Sequence, residues 1–237
     1  MKKYARDILI TVSVLLAASA SFTDAAEDPE KLAQDHMLSG SQFVKDKKFK
    51  EAAREFQTAI SLAPDNAEAN RLLGLSLAQT GELDKAAEYS VKAAQLKPNY
   101  GTYYLLGLIY SNQAKYDKSA EAYGQALALS PKSYEAWHQL GKVHATTLNF
   151  DKAVEAYGKA ATLNPKFPDA YQGLGSAYYW LGDLTKALQQ VDQLNKLGFA
   201  EKADELERWL KDKETKKKKS AKKAPPKPAE TLVPRPE

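Results

Sequence analysis

Small residues and prolines recur along this chain at one interval. Gly40, Gly74, Gly107, Gly141 and Gly175 are separated by 34, 33, 34 and 34 positions. Ala59, Ala93, Ala126 and Ala160 keep that step, and so do Pro64, Pro98, Pro131 and Pro165. In the clearest unit, large apolar residues surround the small ones. Trp137, Leu140 and Gly141 come first, then Ala153, Tyr157 and Ala160, then Pro165. Each set recurs at three- and four-residue spacing, which predicts two helices joined by a short turn. Gly141 and Ala153 let the two backbones approach, and Trp137, Leu140 and Tyr157 fill the space around that contact. Pro165 lacks an N–H and disfavours helix at the preceding residue, so it ends the second helix. One such pair cannot bury its apolar face alone; stacked neighbours do so.

The stretch from Tyr134 to His144, with Ala153, Tyr157, Ala160 and Pro165, resembles a tetratricopeptide repeat, whose pattern is W-x-x-L-G-x-x-Y…A-x-x-x-F…A…P over about 34 residues. His144 stands where the family usually has Tyr. The resemblance covers five units, residues 33–66, 67–99, 100–133, 134–167 and 168–199. It implies an all-α, right-handed superhelical solenoid. The first unit departs most, with His36 at the Trp position and Ser39 for Leu. Ser90 replaces an aromatic in the second unit, which predicts a locally weaker core. Ser119 replaces the small alanine of the third. The fifth lacks the closing proline and ends at Gly198, a helix C-cap candidate. Residues 200–213 read as a capping helix, with Ala203, Leu206 and Leu210 on one face and Trp209 beside them.

The two ends have a different character. Lys2, Lys3 and Arg6 precede an eleven-residue apolar run, Ile8 to Ala18, and then small-residue cleavage candidates around Ala20 and Ala25. Residues 1–26 therefore read as a secretory signal peptide of bacterial style, giving a periplasmic or secreted protein. An uncleaved anchor is the alternative, although a span needs about 20 apolar residues. Residues 27–213 read as the repeat domain. Residues 214–237 are rich in Lys and Pro and read as a disordered tail. The net charge of +4 is uneven: from Lys213 onward there are nine Lys/Arg against three Asp/Glu.

Catalytic patterns do not emerge. There is no cysteine, which removes thiol chemistry and cysteine-held zinc. His138 and His144 are six apart, some 120° from one face, and no His/Asp/Glu set has metal-ligand spacing. No phosphate-cradling glycine loop or hydrolase motif is present. The expectation is a protein that is not an enzyme, with no cofactor, no metal and no small-molecule substrate.

What remains is a surface. The resemblance implies that first helices of successive repeats line a concave groove. Its partner-facing candidates are Met37, Arg71 and Leu75 in the first two units, and Tyr104, Leu108 and Asn112 in the third. His138 and Lys142 follow in the fourth, and Gln172, Tyr179 and Trp180 in the fifth. The two-carboxylate clamp of chaperone-adaptor repeats is absent: Met37 and Ser41 are followed by Leu72, Gly101 and Leu105. Exposed aromatics are frequent binding hot spots, but Tyr179 and Trp180 also sit where they would pack on the capping helix. The leading expectation is an exported scaffold that binds a peptide or partner protein in this groove during assembly of a cell-envelope complex. The alternative places function in the tail, where Lys216, Lys217, Lys218, Lys219, Lys222 and Lys223 would contact anionic membrane, wall polymer or nucleic acid.

Overall fold

The computed structural model describes residues 28–223, with side chains through Lys219. The expected signal peptide and residues 224–237 lie outside the described residues. Within them the chain is a succession of helices: α1 (Pro29–Lys45), α2 (Phe49–Leu62), α3 (Ala67–Thr80), α4 (Leu83–Leu96), α5 (Tyr100–Asn112), α6 (Tyr116–Leu129), α7 (Tyr134–Thr146), α8 (Phe150–Leu163), α9 (Pro168–Trp180), α10 (Leu184–Lys196) and α11 (Ala200–Lys223). The all-α helical-hairpin architecture is the one the 34-residue period predicts. The described residues divide into two compact units, 28–109 and 110–223, so that α5 crosses the boundary.

Each expected boundary has a local cause. Asp28 caps α1 by accepting the Glu30 N–H at 3.0 Å, with Pro29 at the first helical position. Asn66 and Ser133 cap α3 and α7 by accepting the Ala69 and Ala136 N–H groups at 2.9 and 3.1 Å. The second helices stop before the prolines, at Leu62, Leu96, Leu129 and Leu163, because Ala63, Lys97, Ser130 and Asn164 leave the helical region. The turns joining the two helices of each repeat pass through a left-handed residue at one repeat position: Lys47, Gly81, Ala114, Leu148 and Gly182. Gly198 repeats the device before α11, at φ +84°.

In residues 28–109, consecutive helices enclose a core containing Phe56, Ile60, Leu73, Leu77, Leu105 and Ile109. The Phe56 ring lies against Gly40, where a Cβ would approach to 2.7 Å. The next repeat lacks that ring. Gly74 faces Ser90, whose buried hydroxyl has no hydrogen-bond partner. The weaker core expected at Ser90 is thus a small-residue contact carrying one orphaned polar group.

In residues 110–223 the core contains Tyr157, Tyr171, Leu174, Val191, Leu194 and Leu206. Tyr157 of α8 is held between two glycines: a Cβ on Gly141 (α7) or on Gly173 (α9) would come within 2.7 Å of its ring. Gly175 is met from α11, by Leu206. Ala203, Leu206 and Leu210 of α11 are buried, as the predicted capping face requires. The expected end of that helix at Lys213 is not observed; α11 continues to Lys223. Lysine has good helix propensity, and ion pairs one turn apart support the extension, Lys211–Glu207 and Lys216–Asp212, both at 2.7 Å. The expected disordered tail from 214 is corrected accordingly: its first ten residues, including the lysine run, are helical.

A recurrent contact joins repeats to one another. At three of the four junctions that follow a closing proline, position four of the repeat donates to that proline's carbonyl. Asn70 Nδ2 reaches Pro64 O at 3.3 Å, Trp137 Nε1 reaches Pro131 O at 2.9 Å and Tyr171 Oη reaches Pro165 O at 3.2 Å. The proline carbonyl supplies the acceptor and the side chain supplies the donor.

Candidate partner-binding groove

The second unit contains a concave site of about 790 Å3 between α7, α9 and α11. Small residues make its floor. Ala145, Gly173, Ser176 and Ala177 keep the backbones close and leave the space open. Phe150, Trp180 and Trp209 make an aromatic wall. Phe150 and Trp180 stack at 5.9 Å with an interplanar angle of 15°, and Trp209 meets Trp180 edge-on at 6.3 Å. Trp180 remains 51% exposed despite these contacts. Leu148 forms the rim. It is 74% exposed and its backbone is left-handed at φ +61°. Glycine holds the same turn position in the second and fifth repeats. A leucine there costs backbone energy and places an apolar side chain in solvent, so the position works against folding on both counts.

The polar lining divides into satisfied and unsatisfied groups. Gln172 donates to Glu205 Oε2 at 3.0 Å and to the Lys202 carbonyl at 3.3 Å. Lys202 bridges Glu205 and Asp169 at 3.4 and 3.6 Å. The Gln172 hydrogen bond, then the Lys202 charge, hold the Glu205 carboxyl below its ordinary range. On the opposite side, Lys142 has no anionic partner among the described residues, and the Tyr157 hydroxyl has no hydrogen-bond partner there. Tyr157 is only 5% exposed, and burial pushes its hydroxyl pKa well above the ordinary tyrosine value. His138 lies against the rings of Tyr157 and Phe167 at 5.5 and 5.0 Å. Burial, then the Lys142 charge, lower its pKa, so the imidazole is neutral at neutral pH. The groove therefore offers free donors and an apolar wall, while its carboxylates are already engaged.

The structure places the expected residues as follows. His138, Lys142, Gln172 and Trp180 come together in this site. Tyr179 does not line it; it packs edge-on against Trp209 at 5.3 Å, on the capping helix. Asn112 is exposed at the end of α5. In the first unit, Met37 and Leu75 are half-buried against the core. Arg71 is bound to Glu68 of its own helix, with Nε to Oε2 at 2.8 Å. Tyr104 is half-buried and packs on Tyr100 at 5.6 Å, and Leu108 is half-buried in the same helix. A cavity of about 650 Å3 in that unit lies elsewhere, between α2, α3 and α4, with Arg54 and Tyr89 in its lining. Leu148, Phe150, Tyr157 and Trp209 were not foreseen as groove residues. Leu148 had a signal: a bulky apolar residue at a position where two other repeats carry glycine.

Lys216, Lys217, Lys218 and Lys219 are exposed on the α11 extension, and Lys222 and Lys223 lie at its end. Among the described residues no group of three or more His, Cys, Asp or Glu side chains is placed to hold a metal ion.

Stacked helical hairpins, an open groove and an exposed aromatic wall define a protein-interaction scaffold of the helical-repeat class. The family patterns agree in detail: "Tetratricopeptide repeat" matches residues 39–100, and "TPR repeat" matches residues 107–147 and 149–182. The chain belongs to the tetratricopeptide-repeat family. It is similar to the Hsp70-Hsp90 organising protein of Plasmodium falciparum (isolate 3D7), with 31% identity over 108 residues, 42% of this chain and 19% of that protein. The chain thus spans about a fifth of that relative's length. Among solved structures it is similar to MamA protein, at 26% identity and a TM-score of 0.67, covering 70% of this chain and 92% of that one. YrrB, a TPR protein with an unusual peptide-binding site, shares the fold at a TM-score of 0.67 and 18% identity, covering 80% of this chain and 97% of that one.

Proposed function

We propose that the protein is an exported scaffold that takes a peptide segment of a partner protein in the α7–α9–α11 groove, and that it serves assembly of a cell-envelope complex. The observation that carries the binding site is Trp180, half exposed on the groove wall beside an exposed Leu148 on strained backbone. A large aromatic held by other aromatics and left open to solvent is a typical anchor for a partner. The Plasmodium relative is named for organising two proteins, which supports the scaffold class. Its partners do not transfer, because the residues of the two-carboxylate clamp are missing here. The engaged carboxylates of Asp169 and Glu205 favour binding over acid–base chemistry, so the reading is a non-enzyme. Export rests on the basic and apolar pattern of residues 1–26; mass spectrometry of the mature N-terminus tests it, and an intact Met1 in a membrane fraction would sink it.

The binding test is affinity capture from native envelope extract with the full chain and its Trp180→Ala variant at physiological salt. Loss of a specific partner at unchanged helicity supports the groove. Equal capture by both proteins removes it. A second reading has its own support in the lysines that α11 carries beyond the last repeat. Binding to an anionic surface through them falls steeply between low and physiological salt, whereas groove binding does not.

A further inference from the structure

The groove described above has a candidate occupant in the chain's own sequence. α11 leaves the aromatic wall at Trp209 and ends at Lys223, about 21 Å further along at 1.5 Å per residue. Fourteen residues follow Lys223, beginning Ala-Pro-Pro-Lys-Pro. Prolines at 225, 226 and 228 oppose continuation of the helix. An extended proline-rich strand covers about 3.1 Å per residue, so about seven residues return it to Trp209. The segment that then falls at the groove is Glu230-Thr231-Leu232-Val233-Pro234, which contains the only adjacent pair of large apolar residues after α11.

Its chemistry matches the site. Leu232 and Val233 suit a wall made of Phe150, Trp180 and Trp209, and aromatic-lined grooves receive proline-containing strands well. Glu230 and Glu237 flank the apolar residues. The wall is flanked by two cations with no carboxylate partner among the described residues. One is Lys142. The other is Lys213, whose ammonium lies 5.3 and 5.4 Å from the Trp180 and Trp209 ring centroids. We propose that residues 230–237 fold back onto the α7–α9–α11 groove of the same molecule and compete with its partner. The inference rests on the groove reading of the preceding section and adds its regulation. At an effective concentration on the order of 1 mM, a tail of about 100 µM intrinsic Kd fills the groove about nine-tenths of the time and weakens a competing segment about tenfold.

The test compares the full chain with its Leu232→Asp, Val233→Asp variant, whose substitutions lie outside every repeat. The readouts are acrylamide quenching of tryptophan emission and titration with a fluorescein-labelled synthetic peptide of residues 229–237. The expected result is stronger quenching in the variant and about tenfold tighter peptide binding to it, independent of protein concentration. No peptide binding to the variant, or identical quenching of both chains, overturns the proposal. So does a wild-type effect that grows with concentration and sediments as a dimer, because the tail then belongs to a second copy. If the peptide fails while Trp180→Ala still abolishes partner capture, the groove stands and only the tail is wrong. If Trp180→Ala changes neither, the groove reading has failed.

Discussion

In the first unit, the groove-side side chains are engaged locally. Arg71 is tied to Glu68 one turn away, and Met37 and Leu75 lean on the core. In the second unit, three side chains along the groove are left open. Lys142 has no anionic partner among the described residues, Trp180 stands half in solvent, and Leu148 occupies a turn where glycine is easier. Both units use the same small-residue contacts and the same proline stops. The difference lies outside the consensus: the first unit's residues are engaged locally, while Lys142, Trp180 and Leu148 of the second stay exposed. The repeat pattern specifies how helices pack, and departures from it mark where the surface has another task.

The largest expected effect comes from breaking a contact of the second unit that is closed from both sides. Gly141→Val drives a side chain into the Tyr157 ring, which cannot retreat because Gly173 lies on its other face. A loss of about 3 kcal/mol or more is expected in urea denaturation. Gly158, by contrast, has nothing within 4 Å of a Cβ, so Gly158→Ala should raise stability by about 0.5–1 kcal/mol. A similar response at the two glycines would dissolve the distinction between packing and spare positions. Next, Trp180→Ala should weaken partner binding by about 2 kcal/mol, roughly thirtyfold, at unchanged circular dichroism. Leu148→Gly should weaken the same binding while raising stability by up to about 1 kcal/mol. Opposite signs on those two axes are the mark of a residue kept for contact, and a loss on both would mean Leu148 is structural. In the first unit, Ser90→Ala removes a buried hydroxyl without a partner and should stabilise by about 1 kcal/mol. A destabilised variant would show that the hydroxyl is satisfied in solution.

The smallest effect concerns pH. The pKa values of His138 and His144 are both lowered, chiefly by burial and then by Lys142 and Lys152 respectively. A histidine depressed in the folded state stabilises the fold above its unfolded pKa of about 6.5, and that contribution is lost as pH falls below it. Denaturation midpoints should therefore drop between pH 7.5 and 5.5, and a His138→Gln, His144→Gln variant should show a smaller drop. Equal drops would assign the acid sensitivity to other groups.

The fold was legible because its determinants are local and periodic. Glycine, alanine and proline at fixed offsets set where helices approach and stop, and every stop fell within two residues of the proline that predicts it. The groove was legible only where its residues sit on first helices. His138, Lys142, Gln172 and Trp180 followed from repeat position. Phe150 and Tyr157 come from a second helix, and Leu148 from a turn, so a rule about first helices misses them. Trp209 was read as part of the cap; its second role as wall depends on how α11 crosses α9, which spacing along one helix does not encode. For Tyr179 and Trp180, expected either in the groove or on the capping helix, the structure separates the two, since adjacent residues on a helix point about 100° apart. The helix beyond Lys213 was missed because charge and proline content were averaged over a segment whose first ten residues contain no proline at all.

The bond from position four to the preceding proline carbonyl bears on how such a chain arises and changes. It requires one donor and one acceptor and is indifferent to what the donor is: an amide, an indole and a phenol all serve. A duplicated repeat with a donor at position four can bring this fastening with it when inserted after a closing proline. The sequence of that repeat is then free to drift wherever neither the fastening nor the glycine contact is involved. A new binding surface can thus be written onto a joint that already holds.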